Sequence, residues 1–173
     1  MAPNAVDYIA IQNTISRYCI ALDNKNFDLL KQVFTEDVDT VYPFGGQRKG
    51  VQPIIDAISK RSLASEDLIT NRLPAHTFCR LSPVTHQHAL TTQHIEIAAD
   101  GKSAESTTYF TGIHFGKGKW DGKEVTAWGK YDDRLTLIEG KQSLPGASGQ
   151  WFISRREVSF FGRLGEESVM DGE

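Results

Sequence analysis

Residues 86–116 read HQHALTTQHIEIAADGKSAESTTYFTGIHFG, and this stretch decides the fold class. Two runs rich in β-branched and aromatic residues, 86–98 and 103–116, flank the short segment ADGK at 99–102. An Asp-Gly turn between two such runs is typical of a β-hairpin. Both runs are about twice the usual strand length of about five or six residues. Strands of that length must twist and coil, so we expect a curved sheet.

Two further segments of similar composition follow the hairpin, at 125–139 and 151–161. Glycine-bearing connections at 117–122 and 140–149 separate these segments from the strands before them. Four consecutive long strands joined in this way predict an antiparallel meander.

Upstream of the hairpin the hydrophobic pattern is helical. Apolar residues from Ile11 to Leu22 recur at spacings of three or four, which predicts a helix over 7–23 with Asp7 as its N-cap. The other predicted elements of this half are a short helix at 27–34, a strand at 36–42 that ends at Pro43, a Gly45-Gly46 turn, and a helix at 51–63 with Pro53 in its first turn.

Helices that precede a meander predict an α+β fold, with the N-terminal helices packed on the concave side of the sheet. A strongly curved antiparallel sheet of this kind forms a cone-shaped barrel with an open mouth. That shape is suited to enclosing one small molecule. We expect a single domain over residues 1–164 and a flexible acidic tail over 165–173.

Composition excludes several classes of protein. The net charge is −3 and no large basic cluster is present, which argues against a nucleic-acid partner. No apolar run approaches the about 20 residues that span a bilayer, and no secretory-signal pattern is present, so we expect a soluble cytoplasmic protein. The two cysteines, Cys19 and Cys79, do not form a disulfide framework, and we interpret both as small core residues.

Several short motifs along the chain carry a family resemblance. They are Ile11-x3-Ile15-x2-Tyr18-x3-Leu22-Asp23, Phe27-Asp28, Val33-Phe34-Thr35-Glu36-Asp37, His88-Ala89-Leu90-Thr91-Thr92, Ala104-Glu105-Ser106, Gly129-x-Tyr131-x-Asp133 and Gly149-Gln150-Trp151-Phe152-Ile153-x-Arg155. In order and spacing, over roughly residues 7–161, they resemble SnoaL-like polyketide cyclases. The resemblance implies the cone-shaped barrel that those proteins share with scytalone dehydratase and ketosteroid isomerase.

The resemblance also implies a range of activities. Such proteins are dehydratases, cyclases, isomerases and epoxide hydrolases, mostly acting on small and often polycyclic molecules without a metal or organic cofactor, and some only bind. Relatives commonly form dimers or trimers through the open sheet face. We therefore expect a cofactor-independent protein of secondary metabolism that is a homodimer or homotrimer, although the fold alone does not choose the reaction.

Scytalone dehydratase is the relative whose catalytic residues map best. The resemblance implies catalytic roles for Asp23 at the end of the first helix, for His88 and His114 in the strands, and for Tyr42 after the second helix. The Ser and Asn side chains that the dehydratase carries on a later strand have no match in this chain, so the resemblance does not identify the substrate.

The residues themselves suggest an acid–base pair. By period-two counting His114 shares a strand face with Phe110 and Thr108. If that face is concave, Asp23 and His114 could meet across the cavity, with the carboxylate supporting the imidazole. The alternatives are a helix-ending role for Asp23, with Asn24 as the cap, and a half-exposed strand position for His114.

Further side chains are candidates for substrate contacts: Tyr131, Phe110, Trp128, Tyr109 and Arg48. The tyrosines could donate phenolic hydrogen bonds to a substrate oxygen, or be core aromatics. We predict Phe110 and Trp128 as pocket walls, and Arg48 as either an anion contact or a surface arginine. Tyr109 has the opposite parity to His114, so at most one of them should face the cavity unless a bulge intervenes.

His86, His88 and His94 share one parity on a predicted strand, a pattern that raises the possibility of a metal site. Histidines two residues apart on one strand need a third and a fourth ligand to complete such a site. We therefore predict no metal, with His88 lining the pocket and the other two histidines nearer solvent.

The leading hypothesis is a cofactor-independent lyase or isomerase. In it His114, supported by Asp23, removes a proton, while His88 and Tyr42 polarise an oxygen or protonate a leaving group. One alternative is a binding module without turnover, which needs no contact between a histidine and a carboxylate. Another is an assembly domain that pairs copies through the open sheet face, which a large apolar patch on that face would favour.

Overall fold

The computed structural model describes residues 4–43, 46–59, 84–141 and 144–171 of the 173-residue chain. Its helices are α1 (Ala5–Asp23), α2 (Val51–Ser59) and 3-10 turns at Phe27–Gln32, Gly118–Trp120 and Glu167–Asp171. Its strands are β1 (Phe34–Tyr42), β2 (Gly46–Lys49), β3 (Thr85–Ile97), β4 (Ser103–Phe115), β5 (Glu124–Ile138) and β6 (Gln150–Gly165). The predicted α+β class and the four long strands are confirmed.

The six strands form one sheet in the order β2-β1-β6-β5-β4-β3. Strands β3 to β6 make the predicted antiparallel meander. The sheet is mixed, however, because β1 pairs with β6 in parallel. The sequence pattern identifies strands but not their partners, and it therefore missed this one parallel pairing.

The sheet curves around α1. This helix contacts both β3 and β6, which are separated by two other strands. The helix crosses the inner face obliquely, since Thr14 in its middle bonds to the Trp151 carbonyl of β6 and Asp23 at its end bonds to His88 of β3. Bulges in the β3–β4 and β5–β6 ladders add to the bend. The cone-shaped barrel with its first helix on the concave side is thus confirmed.

The N-terminus of α1 differs in detail from the prediction. The N-cap is Asn4, whose side-chain oxygen accepts a hydrogen bond from the Val6 N–H at 3.1 Å. Asp7 lies one turn inside the helix, where it is buried and accepts a hydrogen bond from the Ser148 N–H at 2.9 Å. Both residue types can cap a helix, and Asp7 is drawn inside by this tertiary contact.

The core lies between the inner face of the sheet and the two helices. Cys19 is part of it, as predicted, and burial raises the pKa of its thiol to about 12. Cys79 and the end of the helix predicted at 51–63 lie outside the described residues. Among the described helices, none has the length and apolarity that a membrane crossing requires.

The chain after β6 packs on the barrel as far as it is described. The 3-10 turn that follows buries Val169, which is only 1% exposed, against Val84 and Val125. The Glu166 N–H also bonds to the Glu124 carbonyl at 2.8 Å, and Met170 packs beside Val169. The flexibility of the segment from Gly165 stays a prediction.

Candidate active site

Three histidines come together on the inner face of the sheet. His86 and His114 are direct cross-strand neighbours on β3 and β4, and His88 lies two residues further along β3. Their ring centroids are 5.6 to 5.8 Å apart. The period-two prediction for His114 is correct, since it is buried on the same face as Phe110 and Thr108.

Asp23 joins this cluster from the last turn of α1. Its Oδ1 accepts a hydrogen bond from Nδ1 of His88 at 2.7 Å, and its Oδ2 accepts one from the His88 main-chain N–H at 3.0 Å. The structure therefore corrects the predicted pairing: Asp23 supports His88 rather than His114. The pairing depends on which ring reaches the end of α1, and strand parity does not determine this.

The way α1 ends places Asp23 at the cluster. The Asn24 N–H bonds back to the Ile20 carbonyl, and the Lys25 N–H to that of Leu22. Asn24 keeps a helical backbone, and it is Lys25 that takes the left-handed conformation, with φ of 56°. The left-handed residue that ends the helix is thus Lys25, one position later than the alternative prediction placed it. The Asp23 carboxylate faces β3.

His86 is a member of the site that sequence reasoning placed nearer solvent. Its side chain is fully buried, and its Nε2 lies 2.7 Å from the carbonyl oxygen of Leu22. Burial, followed by the charge of His88, lowers the pKa of His86. Counting along an uninterrupted strand placed His86 on the same face as His94. A bulge between these two residues puts them on opposite faces, and the sequence does not reveal that bulge.

His114 is held neutral by its surroundings. Burial, and after it His88 and His86, lower its pKa to about 4, while a hydrogen bond to the Val125 backbone acts in the opposite direction. A base this weak removes protons poorly at neutral pH. His114 therefore fits the role of a neutral hydrogen-bonding group better than the role of the base.

Gly112 provides the space for His88. It lies opposite His88 in the β3–β4 ladder. A Cβ at this position would lie 3.3 Å from Cδ2 of His88 and 3.4 Å from Cε1 of His114. The absence of a side chain at residue 112 thus allows both rings to stand on the same face.

The grouping of His86, His88 and His94 on one face, which strand parity suggested, does not form. The register of β3 shifts between Leu90 and Gln93, which reverses the parity of the strand. His94 is exposed and lies 3.7 Å from Glu96. Ligand-type atoms of Asp23, His86 and His88 do lie within 4.8 Å of one another. The two ring nitrogens concerned already face oxygen acceptors, an arrangement that favours proton transfer over metal coordination.

Aromatic side chains line the interior beyond the histidines. The rings of Phe110 and Tyr131 stack with centroids 4.4 Å apart, and the hydroxyls of Tyr42 and Tyr18 are 3.2 Å apart. Burial raises the pKa of Tyr42, an effect that the charge of Arg156, and to a smaller extent that of Arg48, opposes. These four aromatic rings are buried. Arg48 itself lies half-buried on β2.

Two predicted pocket residues lie on the other side of the sheet. Tyr109 and Trp128 are each 39% exposed on the outer face, and Tyr109 packs edge-on against Phe161. The parity argument for Tyr109 was right, because His114 faces inward and Tyr109 outward. Trp128 has the opposite parity to the buried residues of β5, so assigning it to a pocket wall was wrong.

A buried ion pair was missed altogether. Arg156 donates two hydrogen bonds of 2.7 Å to the Asp133 carboxylate, and its guanidinium lies 4.2 Å from the ring centres of both Tyr18 and Tyr131. Both charged side chains are completely buried. The sequence pair Arg155-Arg156 could have indicated a buried arginine. Adjacent strand residues point to opposite faces, so one of the two must face inward.

Comparisons with known proteins agree with this architecture. A family model described as a SnoaL-like domain matches residues 4–157. No curated protein gives a significant match to the sequence. A protein of Novosphingobium aromaticivorans DSM 12444, provisionally described as a scytalone dehydratase, is 16% identical with a TM-score of 0.65, covering 94% of this chain and 89% of its own.

Two further solved structures show the same fold. Hexachlorocyclohexane dehydrochlorinase LinA-type3 of Novosphingobium barchaimii LL02 is 13% identical with a TM-score of 0.64, covering 94% of this chain and 91% of its own. Aln2 of a Streptomyces species is 14% identical with a TM-score of 0.60, covering 92% of this chain and 94% of its own. At such identities the similarity is one of fold.

Proposed function

This chain belongs to the SnoaL-like domain family, and we propose that it is a cofactor-independent lyase or isomerase that acts by acid–base chemistry on a small, polycyclic secondary metabolite. Two of its structural neighbours carry names that denote eliminations, one of water and one of hydrogen chloride. An elimination and a double-bond migration both begin by removing a proton from carbon, so one base can serve either reaction.

The observation that carries the proposal is the contact between Asp23 and His88. A carboxylate that accepts a hydrogen bond from Nδ1–H fixes the tautomer of the ring and leaves a lone pair on Nε2. The same carboxylate stabilises the imidazolium that forms when Nε2 takes a proton. His88 is therefore assigned as the general base and Asp23 as its supporting carboxylate.

The neighbouring groups suit the other half of the reaction. His114 and His86 are held neutral by burial, so neither competes with His88 for the proton. The Tyr42 phenol keeps its proton because burial raises its pKa. It is the candidate for protonating a departing group or holding a developing oxyanion.

A base-catalysed elimination that needs no native substrate tests this assignment. We expect the parent protein to accelerate the ring opening of nitrobenzisoxazole, in which a base removes one carbon-bound proton, above the rate in buffer. His88→Ala should lower the rate by about 10²–10⁴-fold, and Asp23→Asn should lower it too. The absorbance of the released nitrophenolate gives the rate.

The exposed His94 provides the matched control. His94→Ala removes an imidazole from the same strand but from the outside of the barrel, so the rate should not change. Circular dichroism verifies that every variant is folded. If His88→Ala were as fast as the parent, the assignment of the base would be lost.

A second candidate function, assembly of copies, rests on a different observation. The outer face of the sheet carries an outer patch of large exposed apolar side chains: Tyr109, Phe115, Trp128, Phe161 and Leu164. Two members of this patch are in contact, since the ring centroids of Tyr109 and Phe161 lie 5.2 Å apart. An exposed apolar surface of this kind favours a protein partner. It is compatible with catalysis on the inner face.

A further inference from the structure

Arg163, near the end of β6, stands on the inner face of the sheet. A bulge interrupts the β5–β6 ladder between Trp128 and Gly129. Beyond this bulge Arg163 pairs with Ala127, which belongs to the buried row of β5. Directly paired residues of neighbouring strands point to the same face. The register therefore turns this arginine to the face that carries the histidines.

The register also places Arg163 in one row with the proposed base. Gly112 pairs with His88 on one side and with Ala127 on the other, and Ala127 in turn pairs with Arg163. The two ends of the row are three strand spacings apart, about 14 Å along the sheet. Its two middle members are the smallest residue types. Burial is the largest cause of the lowered pKa of His114, and the charge of Arg163 acts in the same direction.

The guanidinium of Arg163 is accessible and only loosely paired. The side chain is 40% exposed, and its guanidinium lies over the ring of Phe160, 4.6 Å from the ring centre. Phe160 itself packs against the core. Nη1 of Arg163 is 3.6 Å from the Glu167 carboxylate, which is longer than a well-formed hydrogen bond. An exposed ion pair of this kind contributes little stability, so the arginine can exchange its partner for another anion at low cost.

We propose that Arg163 binds a carboxylate group of the substrate, so that the site selects cyclic carboxylic acids over their uncharged counterparts. A carboxylate can accept two parallel hydrogen bonds from one guanidinium. The rings of the substrate lie between Arg163 and His88, beside the two small residues of the row. This inference rests on the proposed function, because it assumes that the His88 site binds an organic substrate. It assigns Arg163 to substrate binding and not to proton removal.

Equilibrium dialysis with naphthoate and its amide, naphthamide, tests the proposal. The two probes have the same rings and a planar substituent of similar size, but only naphthoate is charged at neutral pH. We expect the parent protein to bind naphthoate at least about tenfold more tightly at low salt. The preference should shrink as the salt concentration rises, because the guanidinium is partly exposed. The absorbance of the naphthalene rings gives the bound amount.

Substitutions of two arginines on β6 identify the group responsible. Arg163→Gln should bind both probes equally, because the charge is gone. Arg163→Lys keeps the charge but loses the paired donors, so it should retain part of the preference. Arg155→Gln is the matched control, since Arg155 is 43% exposed on the same strand but pairs with Asp39 on the outer face. It should leave the preference unchanged, and circular dichroism verifies that each variant is folded.

Nuclear magnetic resonance of the histidine ring protons locates the bound probe. An aromatic ring that lies beside His88 shifts the signals of that residue, which are assigned by their loss in His88→Ala. We expect naphthoate to shift the His88 signals in the parent but not in Arg163→Gln. The exposed His94 should not respond in either protein.

The proposal is wrong if the parent binds neither probe or binds both equally. It is also wrong if Arg163→Gln keeps the full preference, or if bound naphthoate leaves the His88 signals unchanged. None of these measurements involves turnover. If the parent failed to accelerate the elimination while the carboxylate preference held, the proposed base would be wrong and the carboxylate site would remain.

Discussion

Each of the three histidines has a role set by what its ring nitrogens touch. His88 has a carboxylate on Nδ1, His86 has a carbonyl on Nε2, and His114 is buried beside both. Only a ring with an anionic partner can hold a positive charge at low cost in such a setting. The carboxylate therefore decides which of three similar side chains can act as the base.

The buried state of His114 makes stability depend on pH. Its pKa falls from an ordinary value of 6.5 to about 4 in the folded protein. Between these values the unfolded chain binds a proton that the folded chain does not, so stability rises with pH. We expect the free energy of unfolding in urea to drop by roughly 2 kcal/mol from pH 6.5 to 5.

Substitutions identify the group responsible for this slope. His114→Gln should reduce it, with the remaining part due to His86, whose pKa is shifted in the same direction. His94→Gln should leave the slope as it is, because His94 is exposed. A slope that is identical in His114→Gln and the parent would show that the titrating group lies elsewhere.

Sequence reasoning named most residues of the candidate site but not their pairing. Asp23, His88, His114 and Tyr42 were all named, and all four lie on the inner side of the barrel. That Asp23 reaches His88 instead of His114 depends on the position of a helix end relative to a strand, which no residue pattern encodes. His86 was undervalued because its parity matched that of His94.

At the level of elements, the β3–β4 ladder limits the space around His88, the proposed base. A methyl group at residue 112 would press on His88, which cannot shift without breaking its hydrogen bonds to Asp23. We expect Gly112→Ala to slow the nitrobenzisoxazole reaction by at least about tenfold, with little effect on the melting temperature. Gly162→Ala is the matched control, since a Cβ there meets nothing within 4 Å.

If Gly112→Ala and Gly162→Ala reacted at the same rate, the ladder would leave His88 more room than these distances imply.

The bulge in β3 is a second feature at the level of elements. It turns His94 outward and leaves His86 and His88 inward, a switch that counting residues along an uninterrupted strand could not predict.

The buried Arg156–Asp133 pair connects β5 with β6 and lies between aromatic rings from α1 and β5. Asp133→Asn would leave a buried guanidinium without a countercharge, so we expect it to lower the free energy of unfolding by about 3–5 kcal/mol in urea. Asp132→Asn breaks the partly exposed ion pair with Lys130, while the amide oxygen can still accept the hydrogen bond from the Thr107 hydroxyl, so it should cost about 1 kcal/mol or less. Equal losses in both variants would contradict a structural role for the buried pair.

At the level of the whole molecule, the two faces of the sheet differ in character. The inner face carries the histidines, and the outer face carries the outer patch of exposed apolar side chains. Beside this patch, charges of both signs alternate on the same face, with Arg134 and Glu105 3.2 Å apart. A partner with the same mixture of apolar and paired charged residues would match it, and a second copy of this chain is such a partner.

We therefore expect the 19.3 kDa chain to self-associate, and light scattering on a sizing column to give a multiple of that mass. Phe161→Ser, at a residue 59% exposed in the outer patch, should shift the protein toward the monomer. Ile20→Ser removes a similarly exposed apolar residue, at 52%, from α1 and should leave the mass unchanged. A monomeric parent would exclude this use of the patch.

The overall architecture was predictable because the meander is local. Alternation along β4 and β5 places almost every side chain on the correct face, and turn residues such as Gly101 mark where strands end. The parallel pairing of β1 with β6 was not predictable, because it joins segments more than a hundred residues apart with no turn between them.

The two hydrogen bonds between Asp23 and His88 limit how this chain can change length over evolution. One residue inserted into or deleted from α1 would rotate its final turn by about 100° and withdraw the carboxylate from ring and backbone together. A functional protein would therefore not tolerate insertions or deletions in that helix. The hairpin tip at 99–102 lies at the opposite end of β4 from His114 and can accommodate insertions and deletions.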